Sequence, residues 1–239
     1  MDPTVSDFYT KNPAADYMAQ YEFSHGPRLD AIAARYDLKS LRGRVLDVGG
    51  GLGFLGKRLD PSVDYWVIDG AEITEEQRLC KGTWIKADLD HDEFSRHDAS
   101  GFGPTGQRDT MRYTDRHLGS FQTAFCLETL EHLFAPYHCL VEIKKLVKLD
   151  GIIYLSVPPI SVWHNVVYPA LLWPPENFMQ FLGQMALPIT DFWEYKPTTV
   201  GWPAYTFRCI NRPWSEKKLM FEKQELKFRD ASPLECTNL

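Results

Sequence analysis

Between residues 44 and 157 the chain is punctuated by short apolar runs bounded by glycine, proline and acidic residues. Val45 to Val48, Val63 to Ile68, Thr83 to Ala87, Phe121 to Leu127 and Ile152 to Val157 each have the length and β-branched or aromatic content of a strand. The last is nearly continuous in its hydrophobicity, as a central parallel strand buried on both faces must be. Pro158-Pro159 ends it, because proline donates no ladder hydrogen bond. Between the runs the period lengthens. Leu140, Ile143 and Val147 share one helical face within 136–149, with lysines between them. A helical pattern also follows the glycines after Val48, as far as Leu59. Thr74-Glu75-Glu76-Gln77 reads as a capping box for a short helix stopping near Gly82. Leu29 to Tyr36 and Glu176 to Ala186 complete the expected helices. Ile189 to Tyr195 and Tyr205 to Arg212 are expected as strands six and seven, an antiparallel edge pair.

The chemistry concentrates where the first strand ends. Gly49, Gly50, Gly51 and Gly53 fall within five residues. Strand, glycine turn and helix in that order let a backbone approach a ligand closely and aim helix N–H groups at it. A nucleotide-like cofactor is the natural occupant. Gly51-Leu52-Gly53-Phe54-Leu55-Gly56 satisfies the GxGxxG string of dinucleotide sites, with Asp69 at a suitable distance for a ribose hydroxyl. Asp47 discriminates against that reading. It lies inside the strand, where a dinucleotide-binding chain is normally apolar and where a carboxylate costs free energy unless it finds donors.

The segment Val-Leu-Asp-Val-Gly-Gly-Gly-Leu-Gly, residues 45–53, resembles motif I of class I S-adenosylmethionine-dependent methyltransferases. The resemblance implies that Asp47, Gly49, Gly50, Gly51 and Gly53 surround the amino-acid end of that cofactor. Asp69-Gly70 closes the second strand, and a carboxylate there can accept both hydroxyls of a ribose. Asp88-Leu89 closes the third; in the family an acid here meets the adenine amino group, and the next residue supplies a backbone contact. The end of strand four, Leu127 with Glu128-Thr129-Leu130-Glu131-His132, is similar to the Glu-x-x-Glu-His endings of small class I enzymes. The resemblance covers about residues 40–160. It implies a doubly wound, mostly parallel, seven-stranded sheet in a three-layer α/β/α fold, with the site at the strand carboxyl ends.

Glu128, Glu131 and His132 fall on one face if they open a helix. Two carboxylates and an imidazole are a possible divalent-metal set, and one RNA-methylating branch of the family uses such a set with a further histidine. Here the nearby downstream histidine, His164 in Val-Trp-His-Asn, does not match that context, and no metal is expected. Glu128 and His132 are instead expected to line the cofactor and substrate edge, with Glu131 orienting the helix. His132, Glu128 and His164 are the candidate bases for an oxygen nucleophile.

A chain of 239 residues can bury one substantial α/β core. Its formal charge of −6 argues against a nucleic-acid substrate, since phosphate neutralisation needs clustered Lys and Arg. Five scattered cysteines, none in a Cys-x-x-Cys pair, read as reduced packing thiols. The first residues have no apolar leader pattern and no run reaches eighteen apolar residues, so a cytoplasmic location without membrane contact is expected.

The organisation expected is a helical cap over the cofactor in 1–40, the cofactor-binding core in 41–160, a substrate-side insertion with edge strands in 161–212, and a charged tail in 213–239. In the cap, the resemblance implies that Arg28 or a tyrosine meets the methionine carboxylate of the cofactor; the alternative is a surface role. Residues 91–119 are polar and breaker-rich, the composition of a mobile loop. The aromatics and prolines of 158–204 line a substrate pocket, form a hydrophobic cap, or make a homodimer surface. The expected activity is methyl transfer from S-adenosylmethionine to a small-molecule or other acceptor. An NAD-dependent oxidoreductase or epimerase, and a noncatalytic binding protein on the same fold, are the alternatives.

Overall fold

The computed structural model describes residues 14–94, 117–159, 175–197 and 203–216, with the backbone alone for 14–20. Seven strands form one sheet: β1 (Arg44–Val48), β2 (Asp64–Asp69), β3 (Thr83–Lys86), β4 (Phe121–Leu127), β5 (Val147–Val157), β6 (Ile189–Tyr195) and β7 (Ala204–Ile210). Their order is β3-β2-β1-β4-β5-β7-β6. The first five are parallel; β7 is antiparallel to β5 and to β6. The winding direction reverses between β1 and β4, the topological switch point at which doubly wound sheets bind ligands.

Side-chain alternation sorts the core into two layers. Leu46, Val48, Ile68, Ala124, Cys126, Ile153 and Leu155 face α2 (Pro136–Leu146) and α3 (Pro175–Gln184). Val45, Val67, Phe125 and Tyr154 face α1 (Ala14–Arg35) through Leu29 and Ile32. By the same alternation, Asp47, Tyr65 and Asp69 point toward the α1 side.

Several local expectations change. The helix expected after the glycines is replaced by turns and a single 3-10 turn, Gly56–Arg58. Gly51 and Gly53 adopt φ of 50° and 89°, incompatible with a right-handed helix, and the segment then meets Pro61 before one can build. The capping box at Thr74 is present, but it opens only the 3-10 turn Glu75–Gln77. The helix α1 begins well before Leu29 and carries Pro27 within it, on its exposed side. The Asp150-Gly151 turn is absorbed into β5 as an irregularity in its pairing with β4.

A buried polar knot closes the end of the sheet opposite the site. Lys144 donates to Asn211 Oδ1 (2.7 Å), Arg212 O (2.9 Å) and Ala186 O (3.2 Å). Asn211 returns its amide to Lys144 O and Val147 O at the end of α2. Burial pushes the Lys144 ammonium down to about 8. Asn211→Ala removes one acceptor from a buried cation and two donors from helix-end carbonyls. It is expected to cost about 2 kcal/mol in urea unfolding, with the m-value unchanged.

Candidate active site

The carboxyl ends of β1, β2, β3 and β4 bring together most residues singled out in the sequence. Gly49 continues the ladder, donating to Ile68 O (2.8 Å), and turns away with φ of 74°. Its α-carbon lies against Thr129, which follows β4, so no side chain fits there. Gly50 lies against Asp47: a Cβ on it would stand 2.6 Å from the carboxyl carbon. Asp47 is buried, and Tyr65 Oη donates to its Oδ2 at 2.5 Å. Burial pushes the Asp47 carboxyl up to about 7, although the Tyr65 hydrogen bond pulls the other way.

Asp69 clamps the glycine turn. Its Oδ2 accepts the Gly51 N–H (2.9 Å) and its Oδ1 the Ala71 N–H (2.8 Å), so the end of β2 and the turn after β1 are one unit. Burial raises its pKa, and the two backbone donors lower it. Each oxygen keeps a second lone pair for a further donor. Trp84 of β3 donates its indole N–H to Gly51 O (3.0 Å) and rests against Gly53. Gly70 is exposed and Leu89 is buried. Asp88 is 57% exposed at its side chain; it accepts from the Asp90 N–H and pairs with His91 (3.1 Å).

After β4 the chain departs from a helix. Glu128 takes φ of 54°, and only Leu130–His132 form a 3-10 turn, so the expected common helical face is not built. Glu128 Oε1 accepts the Ser156 hydroxyl (2.9 Å), while Oε2 lies 3.0 Å from Arg28 Nη1 of α1. Leu127 is half-buried beside it. Glu131 points inward with no exposed surface, its carboxyl held well above the usual range by burial and by the neighbouring Glu128 charge. His132 is partly exposed, with Nε2 3.8 Å from Glu131 Oε1. Among the described residues no three His, Cys, Asp or Glu side chains gather as a metal set. His164 lies outside the described residues, as do 95–116, 160–174, 198–202 and 217–239.

Ionic ties hold α1 against the rest of the molecule. Arg58, just beyond the glycine turn, reaches Glu22 (2.5 Å) and Asp30 (2.7 Å) and donates to Phe54 O (2.9 Å). Arg28 meets Glu128, and Arg35 forks onto Asp191 of β6 (2.9 and 3.0 Å). Tyr21 stacks on Phe54 of the turn with ring centroids 4.2 Å apart. Arg28 is therefore interior, which overturns a surface role for it. Tyr65, Trp84, Arg58 and Ser156 support the site without any sequence signal beyond their places in strands and turns.

No protein-family model matches the chain, and no curated protein matches it. Solved structures do. Magnesium protoporphyrin IX methyltransferase from Synechocystis PCC 6803, with bound SAH, has a TM-score of 0.58 at 14% identity over 87% of this chain and 98% of its own. A SAM-dependent methyltransferase from Leishmania major scores 0.57 at 12% identity, over 85% and 80%. One from Aquifex aeolicus scores 0.53 at 15% identity, over 88% and 99%. Strand order and these likenesses agree: the fold is that of class I S-adenosylmethionine-dependent methyltransferases.

Proposed function

We propose that this chain binds S-adenosylmethionine at the β1–β4 switch point and catalyses methyl transfer to an acceptor bound beside it. The observation that carries the reading is the Asp69–Gly51 clamp, a buried acid at the end of β2 fastened to a glycine turn with left-handed residues. The donor set suits the group: Asp69 has lone pairs left for ribose hydroxyls, and Arg28 has buried N–H groups without hydrogen bonds. Gly49, Gly50, Gly51 and Gly53 supply close backbone, Gly70, Leu89 and Leu127 flank it, and Asp88 stands at the rim for an amino group. When bound, the cofactor supplies a methyl group on a sulfonium, already a good leaving group.

The protein's remaining task is alignment, exclusion of water and, for a hydroxyl acceptor, removal of one proton. His132 and Glu128 are the bases we assign to that proton, with His164 a third candidate from the sequence. His132 is partly open to solvent beside the wholly buried Glu131, so it can both reach an acceptor and release a proton. No helix among the described residues is long and apolar enough to cross a membrane. A small-molecule acceptor is favoured by the net acidity, which opposes a nucleic-acid one.

Thermal unfolding with S-adenosylhomocysteine, and separately with NAD, tests the reading. At about a hundred times the dissociation constant a specific ligand adds about 2.7 kcal/mol, a rise on the order of 5–10 °C at this chain length. A rise with S-adenosylhomocysteine alone is expected; a rise with NAD alone would replace the methyltransferase with an oxidoreductase, and none with either would favour a noncatalytic protein. Asp69→Ala is expected to weaken S-adenosylhomocysteine binding about ten- to a hundredfold, because ribose acceptor and turn clamp go together. Unchanged affinity would remove Asp69 from the site.

A further inference from the structure

A polar row crosses the α1-facing side of the sheet, from the switch point toward the β6 edge. Ser156 of β5 is in register with Thr206 of β7, and Thr206 with Trp193 of β6. Directly paired residues project to one face; Trp193 packs in the α1-side core layer, so all three share that side. Ser156 and Thr206 are wholly buried and Trp193 is 7% exposed. Ser156 gives its proton to Glu128 Oε1 (2.9 Å). Among the described residues, Thr206 Oγ1 and Trp193 Nε1 have no hydrogen-bond partner, each other included. The Trp193 ring is nevertheless held in place. The Arg35 guanidinium lies 5.3 Å from its centroid, and the Tyr195 ring stands across it at 87°. Neither contact uses the indole N–H. Burying a hydroxyl and an indole N–H unmet is unfavourable, and valine and phenylalanine would fill both positions without that cost.

We infer that Thr206 and Trp193 form a subsite for a neutral carbonyl oxygen of the methyl acceptor, and so determine which acceptor the chain takes. Two donors on neighbouring strands, with β-carbons about 5 Å apart, suit one oxygen with two lone pairs. A group that only donates cannot satisfy the indole N–H, which is never an acceptor. Charge selects the neutral class. Arg28 is paired with Glu128 at one end of the row and Arg35 with Asp191 at the other. Arg208, two residues along β7, bonds Thr190 at the exposed edge. A carboxylate in the row would therefore add a buried charge without a free counter-ion. The identity of the ligand as methyl acceptor rests on the methyltransferase reading, in which the proton is taken by His132 or Glu128 after β4. Thr206 and Trp193 lie two and three strands away from β4, at about 4.8 Å per strand. The acceptor so described is an elongated neutral molecule whose carbonyl lies about 10 Å from the methylated atom.

Three probes of similar shape test the subsite on the chain saturated with S-adenosylhomocysteine: acetophenone, ethylbenzene, which has a methylene in place of the carbonyl, and benzoate, which adds the charge. Acetophenone is expected to bind about tenfold or more tightly than ethylbenzene, and benzoate no more tightly than ethylbenzene. Heteronuclear NMR follows the indole N–H signals, and the signal lost in Trp193→Phe assigns the one that acetophenone should move downfield. In Thr206→Val the ketone preference should fall to about threefold or less with ethylbenzene affinity retained, while Thr206→Ser keeps the preference. Without ligand, Thr206→Val removes an unmet hydroxyl, so the melting temperature should hold or rise by up to about 4 °C. A fall of more than about 2 °C would show that the fold itself satisfies the hydroxyl, and overturns the inference. So does a ketone preference that is missing from the native chain or survives Thr206→Val, or benzoate binding tightest. A long-lived water on the Trp193 N–H that acetophenone does not displace also overturns it, since water then completes the row. If S-adenosylhomocysteine itself fails to bind, the cofactor reading falls, and the same three probes on the ligand-free chain still decide the carbonyl subsite.

Discussion

Replacing Asp47 by asparagine is expected to reduce a pH dependence of stability between about pH 4 and pH 7. The Asp47 carboxyl is buried under the glycine turn, and desolvation pushes it up to about 7, from 3.8 without the fold. An acid with a raised native pKa contributes stability that is fully present below its unfolded pKa. That contribution is lost as pH rises through the native value, because the unfolded chain releases the proton first. At 1.36 kcal/mol per unit the loss is on the order of 4 kcal/mol. The asparagine side-chain oxygen would still accept the Tyr65 hydroxyl, and the amide never ionises. Urea unfolding at pH 4 and pH 8, compared between native chain and variant so that shared titrations cancel, measures the difference. Asp69 and Glu131, whose pKa values burial also raises, keep a residual slope of the same sign. An unchanged slope in Asp47→Asn would show that Asp47 is ionised throughout.

Gly49→Ala is expected to destabilise the chain by about 3 kcal/mol. Roughly 1 kcal/mol comes from a side chain forced into the left-handed region, and the rest from overlap with Thr129. Thr129 cannot swing away freely, since its hydroxyl lies within hydrogen-bonding range of Leu127 O (3.2 Å) and Val48 O (3.3 Å). Adding Thr129→Ala removes Oγ1 and Cγ2 and should return about 1 kcal/mol of the overlap, the remaining Cβ staying 2.9 Å from the new methyl. A double variant no more stable than Gly49→Ala would place the penalty wholly in the backbone. Chemical denaturation of the two single variants and the double variant closes the cycle.

These expectations rest on parts of the fold that differ in how far their sequence announces them. β4 and β6 have the bounds that their apolar runs mark, because Gly119-Ser120, Pro188 and the acidic turn at Glu128 confine each run. The doubly wound, seven-stranded sheet is what the resemblance of the glycine motif implies, and the order of its strands is read from the structure alone. The helix after Val48 is absent despite apolar spacing at Leu52, Leu55 and Leu59. Two left-handed glycines outweigh periodicity over so short a stretch, and the same residues pack as turns. The helix α1 runs through Pro27, where local rules place a break, because tertiary ties from Arg58 and Glu128 hold both sides of it. Burial of Arg28 has no local signal at all. Its partner Glu128 is far along the chain, beyond β4, and only the folded switch point joins them. Asp47 and Asp69, in contrast, are legible as site residues because acids at the ends of apolar strands violate the hydrophobic pattern.

The ties on α1 also order events in time. This helix leaves the ribosome before any strand of the sheet, yet Arg35 must wait for Asp191, 156 positions later, and Arg28 for Glu128. The ties from Arg58, and that from Lys57 to Glu22, can hold it meanwhile. Contacts so distant in sequence form late, after the loops between them have closed. The helix made before the sheet is thus fastened in stages, its Arg35 end last. The chain between Arg35 and Asp191 must be complete before that last tie can close, so truncation ahead of β6 is expected to leave the Arg35 end of the helix loose.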